Sequence, residues 1–343
     1  MRKVIAIGVL ATWVVYAPPL YAQNAVEQFY KGKSISILIG SNAGGGYDAY
    51  ARLTGRYLSR YIPGHPAVIF SNMSGAGGAT VINYVSTVAP RDGTVMAATS
   101  GPALLEPLLG ATKTVRYDPL KFNYIGSANA EVSTCVIRKD AAVQKFEDVF
   151  TTEAIIGSSG GTTHDLPAAM IATLGAKLRL VGGYPGSREV LLAMDKGEVQ
   201  GICGMGFTSV ASQRPDWLKP DSPVRFLAQE TLDHEATLDA LKVPRAIDYA
   251  RTPEARAVLE VVYAQLTFTR PFMMAEGAPK DRVEAIRAAF LQALADPELL
   301  SEADRLGLVV TAMSGTVLDG RIHAVYATPK SVIDKVKAAI AEP

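Results

Sequence analysis

Short apolar segments alternate with longer amphipathic segments along most of this chain. The runs at 35–39, 68–70, 94–99 and 154–156 have the length and composition of buried strands. Segments after them carry apolar residues three and four positions apart, as with Val81, Ile82 and Val85, which is typical of helices. Alternating strands and helices predict an α/β fold with mainly parallel sheets.

The same alternation restarts near residues 125–135, so the chain is expected to form two α/β lobes with a cleft between them. We assign residues 28–130 and about 251–343 to lobe 1, and residues 131–250 to lobe 2. Helical spacing continues to the end of the chain and predicts helices flanking the sheets, for example around Val283, Ile286 and Phe290.

Three glycine-rich loops stand between a predicted strand and a predicted helix, at 41–48, 74–78 and 157–164. The start of a helix presents free backbone N–H groups and the positive end of the helix dipole, so it attracts anions. Glycine lets a ligand come close to the backbone. Because ligands of open α/β sheets gather at the carboxyl ends of the strands, these loops predict a site for a small anion.

The net charge and the amino-terminal residues indicate which classes of protein this chain fits. The chain has 343 residues and a formal net charge of +1, which does not favour a nucleic-acid surface. Arg2 and Lys3 precede an apolar run that is too short to span a membrane, and Ala22 suits a cleavage site. We expect 1–22 to be a signal peptide, with an uncleaved anchor as the alternative.

Only two cysteines, Cys135 and Cys203, occur in the chain, and both lie in strand-like runs. In an exported protein such a pair is a candidate disulfide, and two buried free thiols are the alternative. A redox role is not expected because the chain has no Cys-x-x-Cys pattern.

Nucleotide and metal sites find little support. No glycine loop ends in Gly-Lys-Ser or Gly-Lys-Thr, and in 75–80 Thr80 stands where a dinucleotide fingerprint needs a small residue. The four histidines, at 65, 164, 234 and 323, are scattered and none forms a metal-ligand pair by spacing. No cofactor, metal or nucleic-acid partner is therefore expected.

The sequence leaves one enzymatic alternative. Residues 157–161 match Gly-x-Ser-x-Gly between a strand and a helix, the setting of a nucleophile elbow, which would make Ser159 a nucleophile. Asp233 with His234, or Asp319 with His323, would have to complete a triad. A hydrolase has no evident use for the two glycine loops of the first lobe, so we expect no enzyme.

The sequence allows two interpretations for each of two loop residues and for one helix face. Asp48 is either a hydrogen-bond acceptor for a ligand or a cap of the following helix. His164 is either an anion donor or pH sensor, or a histidine in the first turn of a helix. Arg52, Arg56 and Arg60 fall four residues apart and form either a docking surface or a solvated helix face.

An ordered series of segments resembles the substrate-binding proteins of tripartite tricarboxylate transporters, the Bug or TctC family. The series consists of Gly44 to Arg52, Pro63-Gly64, Asn72 to Gly78, Ala89 to Thr94, Tyr117 to Phe122, Gly183 to Gly186, Gly197 to Val199 and Arg214 to Trp217. It runs from about Phe29 to the last helices. This chain has Ser41-Asn42-Ala43 where members often have an aromatic residue and a proline.

The resemblance implies a two-lobed periplasmic binding protein, type II-like, that closes on a small organic mono-, di- or tricarboxylate, aromatic acids included. It further implies a monomer that serves integral-membrane transporter subunits, with a carboxylate-sensing protein as the alternative. One carboxylate would lie on Asn42 to Asp48 and on Ser74 to Gly78, and the second lobe would read the rest. The expected ligand-binding residues are Ser41, Asn42, Ala43, Gly44, Gly45, Tyr47, Asp48, Ser74, Gly75, Ala76, Gly77, Gly78, Ser100, Ser158, Ser159, Thr162, Thr163, His164, Tyr184, Gly186 and Ser187.

Overall fold

A computed structural model of the chain describes residues 20–44, 46–110 and 115–341. The expected signal peptide therefore lies outside the described residues, except for 20–22, which begin the first helix. Among the described helices, none has both the length and the apolar character needed to cross a membrane.

The described residues form helices and strands in the alternation that the sequence predicts. The strands are β1 (Ser34–Ile39), β2 (Ala67–Asn72), β3 (Val95–Ala98), β4 (Asn123–Ser127), β5 (Ser133–Arg138), β6 (Ala154–Gly157), β7 (Leu178–Val181), β8 (Gly201–Gly206), β9 (Val224–Glu230), β10 (Pro271–Met274) and β11 (Met313–Ser314). The α-helices are α1 (Leu20–Tyr30), α2 (Gly46–Tyr61), α3 (Ala79–Thr87), α4 (Gly101–Leu109), α5 (Thr162–Leu174), α6 (Ser187–Lys196), α7 (Phe207–Gln213), α8 (Ala236–Ala240), α9 (Pro253–Ala264), α10 (Lys280–Leu294), α11 (Pro297–Arg305), α12 (Gly315–Tyr326) and α13 (Lys330–Ile340).

Two separate sheets organise these elements. The first has six strands in the order β11-β4-β10-β3-β1-β2, and the second has five in the order β7-β6-β8-β5-β9. Helices flank both sheets and bury apolar clusters against them. The two-lobed α/β class that the sequence predicts is confirmed, whereas the residue boundaries of the lobes stay a prediction.

One detail of the expectation needs correction, because both sheets are mixed rather than mainly parallel. The pairs β1–β2, β1–β3, β6–β7 and β6–β8 are parallel, and the pairs that involve β5, β10 or β11 are antiparallel. The chain leaves the first sheet at the carboxyl end of β4 and returns into β10 at the same edge. A strand that enters the sheet at this edge is antiparallel to the parallel strands beside it. In the second sheet, β5 enters in the same way and is antiparallel to β8.

Helix α2 shows how the amphipathic pattern works in the first lobe. Its buried positions include Tyr50, Leu53 and Tyr57, which follow the helical period and pack in the core beneath the sheet. The arginine stripe lies on the outer side. Arg52 pairs with Asp48, Arg56 with Glu302, and Arg60 with Glu298 and Asp296, so much of this face is held against α11 and its amino-terminal cap.

Candidate functional site

The loops of the first lobe lie side by side at one edge of the first sheet. The segments at 41–48, 74–78 and 99–100 follow β1, β2 and β3, which are adjacent and parallel in the order β3-β1-β2. Their carboxyl ends therefore meet at the edge from which the chain crosses to the second sheet. The loops after β6 and β7 stand at the corresponding edge of the second sheet, where β5 enters.

Asp48 belongs to the framework of the first loop. Its carboxylate accepts hydrogen bonds from Arg52 Nε at 2.9 and 3.0 Å, from Asn72 Nδ2 at 2.8 Å and from the Gly44 N–H at 2.9 Å. Burial acts to raise the pKa of this carboxyl group, but the hydrogen bonds from Arg52, Gly44 and Asn72 hold it below its usual value. The geometry favours the structural interpretation of Asp48.

This network also occupies hydrogen-bond donors of the first loop that would otherwise be free to bind an anion. The Gly44 N–H already binds Asp48, and Asn72 Nδ2 also donates to the Ser41 carbonyl at 2.9 Å. Asn42 and Ala43 are exposed, and Gly45 lies outside the described residues. The sequence prediction missed the role of Asn72, although a polar residue at the last position of a strand was available as a signal.

The second loop has an unusual backbone conformation. Gly75, Ala76, Gly77 and Gly78 all have positive φ, at 131°, 45°, 61° and 106°. A Cβ on Gly78 would lie 2.5 Å from Thr99 Oγ1, so only glycine fits there. Glycine at three of these four positions lets a ligand come close to the backbone. Among the described residues, no acceptor takes the N–H of Ala76 or Gly77.

Ser100 fixes the second loop onto the next strand. Its hydroxyl donates to the Gly77 carbonyl at 2.8 Å and accepts from the Ala103 N–H at 3.3 Å, which caps α4. Ser100 is buried, so its hydroxyl positions the loop whose N–H groups stay free.

The third loop is held by its own side chains. Thr163 Oγ1 donates to the Gly160 carbonyl at 2.8 Å and accepts from the Ser159 N–H at 2.9 Å, while Ser158 Oγ accepts from the Gly160 N–H. Within the described part of the chain, the N–H groups of Gly161, Thr162 and Thr163 have no acceptor. They form the amino terminus of α5, the anion-attracting end of a 13-residue helix.

Gly204 brings β8 against this loop. Thr162 Oγ1 donates to the Gly204 carbonyl at 2.9 Å, and a Cβ on Gly204 would lie 2.0 Å from the Thr162 carbonyl oxygen. With φ at 73°, this position requires glycine for both space and conformation.

No catalytic triad forms around Ser159 in the part of the chain that the structure describes. The Ser159 hydroxyl lies 3.2 Å from Thr163 Oγ1. His234 contacts Asp239 and His323 contacts the Asp319 carbonyl, and both histidine side chains are exposed. The geometry gives the hydrolase interpretation no support.

His164 lies in the first turn of α5, where its Nδ1 is 3.2 Å from Asp165 Oδ1. Its side chain is largely buried. The structure therefore places it inside the helix start that follows the third loop.

The loop after β7 carries the remaining predicted residues. Gly182 and Gly183 have open space around them, and the ring of Tyr184 packs against the apolar cluster of α6. Ser187 is the first residue of α6, and Gly186 occupies the N-cap without a side-chain bond. The extended backbone at Gly186 therefore places Ser187 at the first helical position of α6 rather than at its N-cap.

Arg270 lies beside the first loop and was missed by the sequence prediction. It directly precedes β10, at the edge where the chain returns from the second lobe, and its N–H donates to Ser127 Oγ at 3.2 Å. Its guanidinium carbon lies 4.2 Å from the Tyr47 ring centroid and 5.0 Å from that of Tyr50. A lone arginine between two apolar runs gave no pattern that would have found it.

Glu230, the last residue of β9, is completely buried beneath the third loop. Its Oε2 accepts from the Gly204 N–H at 2.5 Å, and its Oε1 has no hydrogen-bond partner among the described residues. Burial raises the pKa of this carboxyl group to about 8, which the Gly204 N–H only partly opposes. Glu230 is therefore largely protonated at neutral pH.

Cys135 of β5 and Cys203 of β8 are joined in a disulfide across neighbouring antiparallel strands. Both residues are completely buried. The bond closes a loop with a sequence separation of 68, for which the chain-entropy model gives a stabilisation of about 4 kcal/mol.

Two cavities of about 570 and 560 Å³ lie away from the glycine loops. The first is lined by the crossing segment 130–132 and by residues 309–314, and the second by α9 and α12. Neither shares a lining residue with the loops, and the ion pair of Asp233 with Arg321 stands between them. We place the candidate site at the loops, because free N–H groups of both lobes lie there.

Comparison with known proteins rests on solved structures, since no known family profile and no curated protein sequence matches the chain. A TctC solute-binding protein from Polaromonas, without ligand, aligns with 89% of this chain and 99% of its own at 18% identity, with a TM-score of 0.71. The periplasmic binding protein BugD aligns with 90% and 98% at 18% identity, with a TM-score of 0.58.

A third structure, MatC from Rhodopseudomonas palustris with bound malate, aligns with 90% of this chain and 99% of its own at 17% identity, with a TM-score of 0.56. The likeness extends over most of the described chain and includes both sheets. The chain therefore has the two-lobed fold of the TctC and Bug periplasmic binding proteins.

Proposed function

We propose that this chain is a non-enzymatic solute-binding protein that captures a small organic carboxylate between its two sets of glycine loops. The observation that carries the proposal is the set of unbonded N–H groups at strand ends of both sheets, at 76–77 and at 161–163. Charge-assisted N–H bonds to a carboxylate are short and strong, so backbone donors suffice for affinity. The fold likeness to proteins of the TctC and Bug type supports this function.

In the first lobe, the second loop supplies most of the backbone N–H groups that are proposed to bind the carboxylate. Because Asp48 occupies the Gly44 N–H, the first loop contributes less to anion binding than its glycines indicate. The N–H groups of α5 would complete the site from the second lobe, and bridging waters would allow ligands of different length. The predicted residues of the four loops are proposed contacts on this basis.

A ligand screen tests this function. Thermal shift against mono-, di-, tri- and aromatic carboxylates should give hits, which isothermal titration calorimetry then quantifies. Gly77→Ala places a methyl group in the open space at the second loop and should weaken the best ligand about 10-fold. Hits to neutral sugars with none to acids would contradict the proposal.

Gly175→Ala is the matched control for this variant. Gly175 also has a positive φ, at 72°, and open space around it, but it lies at the carboxyl end of α5. Both substitutions should cost similar stability, because each forces alanine into the left-handed region. Equal loss of affinity in the two variants would mean that the second loop does not bind the ligand.

We further propose that the protein acts in the periplasm as a monomer and delivers its ligand to a membrane transporter of the tripartite tricarboxylate type. The amino-terminal pattern of the sequence supports export, with removal of residues 1–22. Loss of Arg2 and Lys3 would change the formal net charge from +1 to −1. Amino-terminal sequencing of the exported protein should begin at Gln23, and retention of Met1 would contradict cleavage.

A further inference from the structure

The side chain of Arg270 is held firmly beside the first glycine loop. Its guanidinium lies against the rings of Tyr47 and Tyr50, and its Nη1 donates to the Thr269 carbonyl at 3.1 Å. A Cβ built on Gly46 would lie 3.6 Å from its Nη2, so the guanidinium borders the amino terminus of α2. Stacking on two rings restricts its rotation, which lowers the entropy cost of pairing with an anion.

The opposite edge of the same guanidinium lacks a partner. Its Nε is buried without an acceptor, and no hydrogen bond is made by Nη2 within the described residues. Nε and Nη2 together form one of the two edges with which arginine binds a carboxylate bidentately. The donors on this edge need an acceptor that the described residues do not supply.

The charge around Arg270 is also incompletely balanced. Among the described residues, no carboxylate oxygen lies within 4.0 Å of its guanidinium nitrogens. The neighbouring charges of the first loop cancel each other, because Asp48 pairs with Arg52 at 2.9 Å. The charge of Arg270 does act on Glu131, whose two carboxylate oxygens both accept hydrogen bonds from Thr208.

Burial raises the pKa of Glu131, although the hydrogen bonds from Thr208 and the charge of Arg270 oppose this rise. No ion pair joins Glu131 to Arg270 among the described residues, so Glu131 does not neutralise the guanidinium by direct contact. The positive end of the α2 dipole adds to the positive potential around Arg270. The half-buried position of Arg270 strengthens this potential, because solvent screens the charge less there.

We propose that Arg270 is a specificity residue whose guanidinium pairs with a second carboxylate of the ligand, so that the protein prefers dicarboxylates to monocarboxylates of the same length. This inference rests on the proposed function, since the N–H groups of the loops hold the first carboxylate. Arginine supplies a fixed positive charge where backbone donors alone would bind either class. The side chain thus reads the charge at the far end of the ligand.

The test compares the affinities of dicarboxylates and monocarboxylates of equal carbon number, in the wild type and in arginine variants. Calorimetry measures succinate against butyrate and adipate against hexanoate, for the wild type and for Arg270→Gln, Arg270→Lys and Arg282→Gln. Arg282 is the control, because its guanidinium also stacks on a ring, that of Phe29, and has an unpartnered buried Nε, but it contacts Asp92 away from the loops.

The wild type should bind the better dicarboxylate more tightly than its monocarboxylate counterpart. Arg270→Gln should weaken the dicarboxylate about 10- to 100-fold and the monocarboxylate less than about 3-fold, which removes the preference. Arg270→Lys should restore part of the preference, because it keeps the charge but loses the bidentate edge. Arg282→Gln should leave both affinities unchanged.

Several outcomes would overturn the inference. Equal losses for the two acids would make Arg270 a structural residue, and no loss would remove it from the site. A wild type that prefers the monocarboxylates would contradict the role directly. If the wild type binds no carboxylate, the proposed function fails as well, whereas unchanged carboxylate binding in Arg270→Gln defeats this inference alone.

Discussion

At the scale of single residues, the buried carboxyl group of Glu230 makes stability depend on pH. Burial raises its pKa in the folded state to about 8, above the usual value near 4.5 in an unfolded chain. The folded protein therefore binds more protons than the unfolded chain between these values. The free energy of unfolding must fall as pH rises through this window.

Glu230→Gln should remove this dependence. An amide oxygen can still accept from the Gly204 N–H, and the variant carries no charge to bury. At pH 8 the variant should exceed the wild type in free energy of unfolding by roughly 2–4 kcal/mol, with little difference at pH 5. Denaturant unfolding at the two pH values measures this.

Glu198→Gln is the control for Glu230→Gln, because the Glu198 side chain is about half exposed and makes only a 3.9 Å pair with Lys196. It should change neither the stability nor its pH dependence. A wild type whose stability does not fall from pH 5 to pH 8 would contradict the assignment of a protonated Glu230.

At the scale of elements, α5 links the second lobe to the last helices of the chain. It begins at the third glycine loop, and it packs against both α9 and α13. Leu166 and Ala169 of α5 are fully buried in the same apolar cluster as residues of α4, α9 and α13. A helix that carries proposed ligand donors is thereby fixed to elements outside its own sheet.

Leu166→Ala should therefore affect ligand binding as well as stability. Removing a fully buried leucine side chain costs about 2–5 kcal/mol, and here it also loosens the support of the α5 amino terminus. Leu227→Ala removes an equally buried leucine from β9, within the second lobe's own core. Only Leu166→Ala should weaken carboxylate affinity, by several-fold.

Calorimetry at a temperature where circular dichroism shows both variants folded makes this comparison. Equal affinities for the two variants would mean that α5 keeps its position without the Leu166 contact.

At the scale of the whole molecule, the sequence predicts the class of fold better than the direction of its strands. Apolar runs and helical periods locate most strands and helices, because these patterns depend on local burial. The antiparallel β5 and β10 depend instead on where the chain crosses between the lobes. No local pattern carries that information.

The candidate site was likewise only partly predictable from the sequence. Glycine patterns identify the loops, since unusual backbone conformations need glycine at positions such as Gly78. The sequence does not reveal which N–H groups remain free, because Asp48 and Thr163 occupy some of them through folded contacts. Arg270 and Glu230 escape prediction since their neighbours are distant along the chain.

The contact between α5 and α13 also constrains the order in which the molecule assembles. More than 150 residues separate the two helices, so the part of the α5 surface that α13 covers stays exposed until α13 has formed. Contacts so far apart in sequence slow folding and prolong exposure of apolar surface. Until α13 packs, the apolar surface that it covers on α5 is open to non-native contacts, including contacts with other chains.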